Sequence, residues 1–278
     1  MREISSNEIS LAVEKAFLKA NVDVTPVEKH LESIIDNEKS EIGRTIINQL
    51  IQNSKVAKEK NIPCCQDTGM AVLFVEIGQD VHITGDNVDD AINEGVRNAY
   101  EKGFFRKSVV DPLSRVNTKD NTPAIIHYSI IPGENIVITV LPKGFGSENM
   151  SAIAMLTPAA GKQGVLDFII ETVKNKGANA CPPLVVGVGI GGTFEKCAML
   201  SKKALTRDIG EKSEDAELRE MEEYLLNEIN KLNIGPMGLG GSISALAVNI
   251  EKYHTHIAGL PVAVNMMCHA LRHERVVL

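Results

Sequence analysis

Five cysteines, Cys64, Cys65, Cys181, Cys197 and Cys268, lie scattered along the chain. A thiolate is both a nucleophile and a soft metal ligand, so these are the side chains with the widest chemical reach. No two are spaced C-x2-C, and neither a zinc ribbon nor a ferredoxin-type site can be read from local spacing. Cys65, Cys181 and Cys268 stand beside loop or polar residues. Cys197, inside Glu195–Leu200, falls on a helical pattern and reads as a buried, inert thiol, and Cys64 reads as a packed neighbour of Cys65. Spacing alone leaves a three-thiolate metal site open without demanding one. The odd count and the scatter argue against a secreted disulfide framework and for a reducing, cytosolic compartment.

Six segments set glycine or proline beside polar, titratable or thiol side chains: 63–69, 143–149, 181–183, 187–193, 235–242 and 254–261. Glycine lets backbone approach a ligand closely, and loops on a rigid scaffold are where sites are built. Asp67 could be no more than an Asx turn or a helix cap. Arg106, in Phe105–Ser108, could be a surface cation, and His256 a satisfied polar residue, with His254 beside it structural. Gly187, Gly189 and Gly192 match G-x-G-x-x-G, with Asp208 further on, as in a dinucleotide fingerprint. That motif requires a doubly wound sheet, which the rest of the chain does not supply. A nucleotide-binding regulatory module using Gly187–Gly192 is therefore an alternative of another class. A strand-to-helix turn whose amides face a carboxylate fits the same residues.

Taken together and in order, these segments resemble the N-terminal catalytic region of class I, iron–sulfur fumarate hydratases, as found in the α subunit of two-subunit enzymes. The residues that carry the resemblance are Pro63-Cys64-Cys65-Gln66-Asp67-Thr68-Gly69, Lys143-Gly144-Phe145-Gly146-Ser147-Glu148-Asn149, Cys181-Pro182-Pro183 with Gly189-Ile190-Gly191-Gly192-Thr193, Gly238-Leu239-Gly240-Gly241-Ser242, and Thr255-His256 through Cys268-His269. The L(+)-tartrate dehydratase α subunit shares the pattern. The resemblance implies a 4Fe-4S cluster held by Cys65, Cys181 and Cys268, with one iron left open as a Lewis acid. It implies that Asp67 is the acid, that Gln66, Arg106 and His256 bind substrate, and that Gly146 donates a backbone N–H to the same dianion. The implied reaction is the reversible hydration of fumarate to (S)-malate, a step of the tricarboxylic acid cycle. The alternative is conversion of L(+)-tartrate to oxaloacetate plus water. The family's base sits in a further domain, so a separate β subunit is expected as partner, in a dimer of αβ units. The basic residues His269, Arg272, His273 and Arg275 would shield the cluster or face that partner.

The elements that must position these loops are legible in part. Ile9, Ala12, Val13, Ala16 and Phe17 share one helical stripe. Thr25-Pro26-Val27-Glu28 is a capping box opening a second helix through Leu31, Ile34 and Ile35. A third stripe runs through Ile42, Ile46, Ile47, Leu50 and Ile51. Met70–Ile77 predicts a buried strand closed by Gly78, and a helix follows over about 86–102. Ala124–Ile131 and Ile136–Leu141 are β-rich, and Pro132-Gly133-Glu134-Asn135 between them predicts a hairpin. Leu166–Val173 predicts a helix, Leu184–Val188 a buried strand, and Leu218–Leu232 a charged surface helix. Helices first and a mixed region after, without regular alternation, predict an α+β fold. The expectation is one large domain over 1–278, helical to about 62 and mixed over 63–278.

Composition narrows the function classes. The formal net charge is −7, aromatic residues are 4% and Trp is absent, so the chain lacks both the basic footprint and the stacking platforms of a nucleic-acid binder. No run approaches the ~18 apolar residues of a membrane span. With 44% hydrophobic residues in 278, the chain can bury a sizeable core.

Overall fold

The computed structural model describes residues 2–278. In chain order the elements are strand β1 (Arg2–Ser5), helices α1 (Ser6–Val22), α2 (Thr25–Ile34) and α3 (Glu41–Lys60), strands β2 (Met70–Gly78) and β3 (Val81–Thr84), helix α4 (Val88–Lys102), strands β4 (Ile125–Ile131) and β5 (Ile136–Lys143), the short helix α5 (Phe145–Glu148), strand β6 (Ala152–Leu156), helix α6 (Gly161–Lys176), strand β7 (Leu184–Gly191), helices α7 (Phe194–Lys203) and α8 (Ala216–Lys231), and strands β8 (Ala245–Tyr253), β9 (Leu260–Met267) and β10 (Glu274–Val277). The fold is α+β, as the pattern predicts. No described helix is long and apolar enough to cross a membrane. The chain packs as two compact units: Met1–Val24 with Ser54–Phe145 and Arg272–Leu278, and Thr25–Asn53 with Gly146–Leu271.

The first unit is built on a sheet of order β10-β5-β2-β4, in which β2 runs parallel to β4 and antiparallel to β5, and β10 antiparallel to β5. The expected hairpin of β4 with β5 does not form, because β2 lies between them and bonds to both. β2 is buried without a break from Ala71 to Val75, whereas β4 is largely exposed. The more apolar strand takes the centre. The connection 132–135 arches over its end, where Ile131, Gly133 and Asn135 carbonyls accept from the Gln79, Asp80 and Gly78 amides. A two-stranded parallel pair, β1 with β3, completes this unit. Helix α1 opens on a capping box between Ser5 and Glu8. Its predicted stripe (Ile9, Val13 and Phe17) packs with Leu73, Val75, Ile92, Val96, Tyr100 and Ile138 in one core.

Strand directions in this unit gather four segments at one end of the sheet. Residues 63–69 lead into β2 and residues 103–124 into the parallel β4. Gly144 follows the antiparallel β5, and Arg272 precedes β10, which runs against β5.

The second unit carries a sheet of order β6-β9-β7-β8, with β7 parallel to β8 and β9 antiparallel to both its neighbours. Leu184, Val186 and Val188 face a core shared with Ile169 and Val173 of α6 and Leu225 and Ile229 of α8. The alternate residues of β7 face α7. A Cβ at Gly187 would stand 2.2 Å from the Ser201 carbonyl oxygen, and one at Gly189 2.1 Å from that of Cys197. These two glycines lie inside the strand and let a helix pack against it; they are not turn residues around a phosphate, and this packing accounts for the apparent dinucleotide motif.

Strands β1, β3, β6, β8, β9 and β10 have no counterpart among the predicted elements. β8 and β9 are nearly continuous buried runs, and short apolar runs do not announce strand or helix by periodicity alone. The α3 stripe is also narrower than predicted. Ile47 and Ile51 are buried but Ile42 is 59% exposed, because Gly43 turns inward against Glu38 in its place.

Candidate active site

Loop 63–69 has no regular structure, yet buried side chains hold its backbone on several sides. The Cys64 amide donates to the Asn21 carbonyl at 3.0 Å. The Tyr100 hydroxyl lies 2.8 Å from the Thr68 carbonyl oxygen and 2.9 Å from that of Gly69, and Asn121 Nδ2 donates to Gly69 at 3.2 Å. Tyr100 is fully buried, and burial pushes its phenol well above the ordinary value; the Arg272 charge opposes that shift and the Asp67 carboxylate adds to it. The phenol therefore remains a hydrogen-bond donor.

Asp67 does form the Asx turn, accepting from the Gly69 amide at Oδ1 (3.0 Å), but its other oxygen accepts from the Phe145 amide at 2.8 Å. The carboxylate thereby pins the glycine loop that follows β5. The Asp67 carbonyl accepts from Arg272 Nη1 at 2.8 Å. Lys143, 1% exposed, donates to the Gly144 carbonyl at 3.3 Å.

Cys65 and Gln66 share a cavity of about 430 Å³ with Ile62, Pro63, Thr68, Phe104 and Arg106. Arg106 is tied to the same loop, since the Thr68 hydroxyl donates to its carbonyl at 3.2 Å. A thiol, an amide and a guanidinium thus border one opening, with the Asp67 carboxylate on the adjoining turn. Apolar grooves elsewhere, such as the one beside α1 and β10, contain none of the predicted site residues.

In the second unit Cys181 and Cys268 come together from distant parts of the sequence. The His269 amide donates to the Cys181 carbonyl at 3.3 Å, and His269 Nδ1 lies 3.3 Å from the same oxygen. Cys181 has a left-handed backbone (φ 55°) and an exposed side chain; Cys268 is half-buried at the end of β9. Two further loops collect at this end of the sheet. The Met237 amide donates to the Pro182 carbonyl at 2.8 Å. Glu148, two residues beyond Gly146, pairs with Lys202 and accepts from Asn265 Nδ2 at 3.0 Å.

His256 is not among them. It lies in the loop from β8 to β9, at the far end of β7, where Thr255 donates to the Gly192 carbonyl at 2.8 Å. The eight residues of β7 separate the two ends, a distance of more than about 20 Å. The His256 side chain is exposed and its Nδ1 accepts from the Ala258 amide at 3.2 Å.

All five cysteines are thiols. Cys64 and Cys197 are buried, while Cys65, Cys181 and Cys268 keep access to solvent, so the accessible thiols are the implied ligand set. Soft sulfur on accessible loops suits an iron–sulfur group. Among the described residues no three His, Cys, Asp or Glu side chains converge as a ready-made site for a single metal ion.

Residues 10–277 match a family model described as Fumarate hydratase (Fumerase). The chain belongs to this family. A Methanocaldococcus jannaschii protein with the provisional name L(+)-tartrate dehydratase subunit alpha is 44% identical over 252 residues, 88% of each chain. The L(+)-tartrate dehydratase subunit alpha of Escherichia coli K12 is 34% identical over 246 residues, 87% of this chain and 81% of that protein. The fumarate hydratase family and these relatives make the chain a hydro-lyase. Every loop described above falls within the matched residues.

Several residues that build this site had no signal in the sequence. Asn21 and Tyr100 lie on the buried faces of α1 and α4 and Asn121 in the irregular stretch before β4, and nothing in their local sequence names loop 63–69 as the segment they serve. Glu38 reads as one charge among several in Asp36–Glu41, yet it is fully buried.

Proposed function

We propose that the chain is the α subunit of an iron–sulfur hydro-lyase that hydrates fumarate reversibly to (S)-malate, with a separate β subunit completing the site. The observation that carries this reading is the cavity bordered by Cys65, Gln66 and Arg106. Cys65, Cys181 and Cys268 would hold a 4Fe-4S cluster. When bound, the cluster supplies a Lewis-acidic iron for the substrate's oxygens. Arg106 offers a fork of donors that matches a carboxylate, and Gln66 an amide donor beside it. The Gly146 amide would serve the same dianion.

Asp67 would move the proton. Each of its oxygens accepts one backbone N–H, which fixes the plane of the carboxyl group and leaves a lone pair on each oxygen. From there it would protonate the departing hydroxyl in the malate direction and retrieve the proton in hydration. The base would come from the β subunit; the relatives' names as subunit alpha support such a partner. His256 lies too far from Cys181 and Cys268 to serve a site they build in the same chain, so in a dimer of αβ units it would serve a neighbouring copy.

The relatives' names favour a second reading, L(+)-tartrate as substrate. The decisive experiment is anaerobic reconstitution of the chain co-expressed with its β chain. Iron and sulfide content and the electron paramagnetic resonance of the reduced protein are followed with malate and with tartrate. A cluster signal that malate alone perturbs, with turnover on malate, is the expected result. Turnover on tartrate alone would establish the second reading, and absence of any cluster signal would defeat both.

A further inference from the structure

We propose that Arg272 is a positioning residue for Asp67 and that Asn21 holds it in place; this rests on reading Asp67 as the proton donor. Arg272 is 1% exposed. A guanidinium stays charged at any working pH, so burying it is costly unless its donors are used. Nη1 is used twice, donating to Asn21 Oδ1 at 3.1 Å and to the Asp67 carbonyl at 2.8 Å. Nη2 faces Gly144, where a Cβ would stand 3.3 Å from it and 3.1 Å from Asp67 Oδ2. The guanidinium therefore lies between the backbone of Asp67 and the loop that Asp67 pins.

Asn21 is fully buried and has one orientation open to it. Its Nδ2 donates to the Phe17 carbonyl at 3.1 Å, which directs Oδ1 to Arg272. Its own carbonyl accepts the Cys64 amide at 3.0 Å. One residue at the end of α1 thus anchors loop 63–69 at its start and, through Arg272, at Asp67. With the carbonyl held on one side and both carboxylate oxygens on the other, Asp67 keeps little freedom. A lysine would supply a point charge where two acceptors need a planar fork.

The test uses the full chain carrying Arg272→Gln, Arg272→Lys, Asn21→Ala, Asp67→Asn, and Asp67→Asn with Arg272→Gln. Amide hydrogen exchange should quicken at Gly69 and Phe145 in the Arg272 and Asn21 variants, with Val72–Val75 of β2 unchanged. In the reconstituted enzyme with its co-purified β chain, kcat should fall about 10- to 100-fold in Arg272→Gln with KM little changed. The double variant should be no slower than Asp67→Asn alone. Faster exchange throughout α1, β2 and α4, or multiplying losses in the double variant, would overturn the positioning role. Unchanged turnover in Asp67→Asn would overturn the reading of Asp67 and this proposal with it. Full turnover in Arg272→Gln beside a crippled Asp67→Asn would overturn the proposal alone. If Arg272→Gln does not fold, Arg272→Lys carries the same comparison.

Discussion

Glu38 offers a quantitative test of how the glycine-rich loop 235–242 is held. Its side chain is fully buried in the second unit. Oε1 accepts from the Ser40 and Ser242 amides at 2.8 Å each and from the Ser242 hydroxyl at 3.3 Å; Oε2 accepts from the Ile243 amide at 2.8 Å. Burial pushes this carboxyl group up, but the Ser40, Ser242 and Ile243 donors outweigh it and leave it below its ordinary 4.5. Glu38→Gln keeps the shape, removes the charge and turns an NH2 toward one of the amide donors. Weakening three charge-assisted bonds by about 1 kcal/mol each and opposing one buried amide at about 1–3 kcal/mol gives about 4–6 kcal/mol, and local relaxation should bring it to about 3 kcal/mol. At about 2.1 cal/mol/K per residue, this lowers Tm by about 5 °C for the 278-residue chain.

The pH dependence provides the control for Glu38. A carboxyl group whose folded value is depressed stabilises fully above its unfolded value, and that stabilisation is lost as pH falls through the folded value. The melting difference between native chain and Glu38→Gln, followed by circular dichroism, should therefore be constant near neutrality and shrink below the ordinary 4.5. Equal melting at neutral pH, or a difference that persists undiminished in acid, would refute the reasoning.

Three further outcomes are expected. Gly144→Ala, whose Cβ would crowd Asp67 Oδ2 at 3.1 Å, should lower kcat about tenfold by displacing the carboxyl group a few tenths of an ångström, with little change in melting temperature. Gly189→Ala places a Cβ 2.1 Å from the Cys197 carbonyl oxygen and should destabilise by at least about 1–3 kcal/mol as α7 is forced off the sheet, read by urea unfolding. Cys197, whose thiol donates to Gly189 O at 3.1 Å and is pushed up to about 12 by burial, should resist alkylation of the native cluster-free chain at mildly alkaline pH. Cys65 and Cys181 should react under those conditions, as mapped by mass spectrometry.

By itself the sequence determined the reactive loops, the accessible thiols and the main amphipathic faces. Glycine beside thiol and carboxylate is a local composition. The stripe through Ile9, Val13 and Phe17 is a local period, and the unbroken run of β2 is a local sign of burial on both faces. Tertiary structure alone decided what pairs with what. β2 separates β4 from β5 because strand partners are chosen by competition among distant segments, not by the turn between two of them. The same holds for the polar groups: in sequence Arg272 reads as part of a basic group shielding the cluster or facing a partner, and Lys143 and Glu38 as ordinary charges, and only the closing of remote segments around them makes them buried anchors. His256 stands with the site residues in the motif order yet lies beyond the other end of β7. Order along a chain says nothing of which end of a sheet a loop will occupy until strand direction is known.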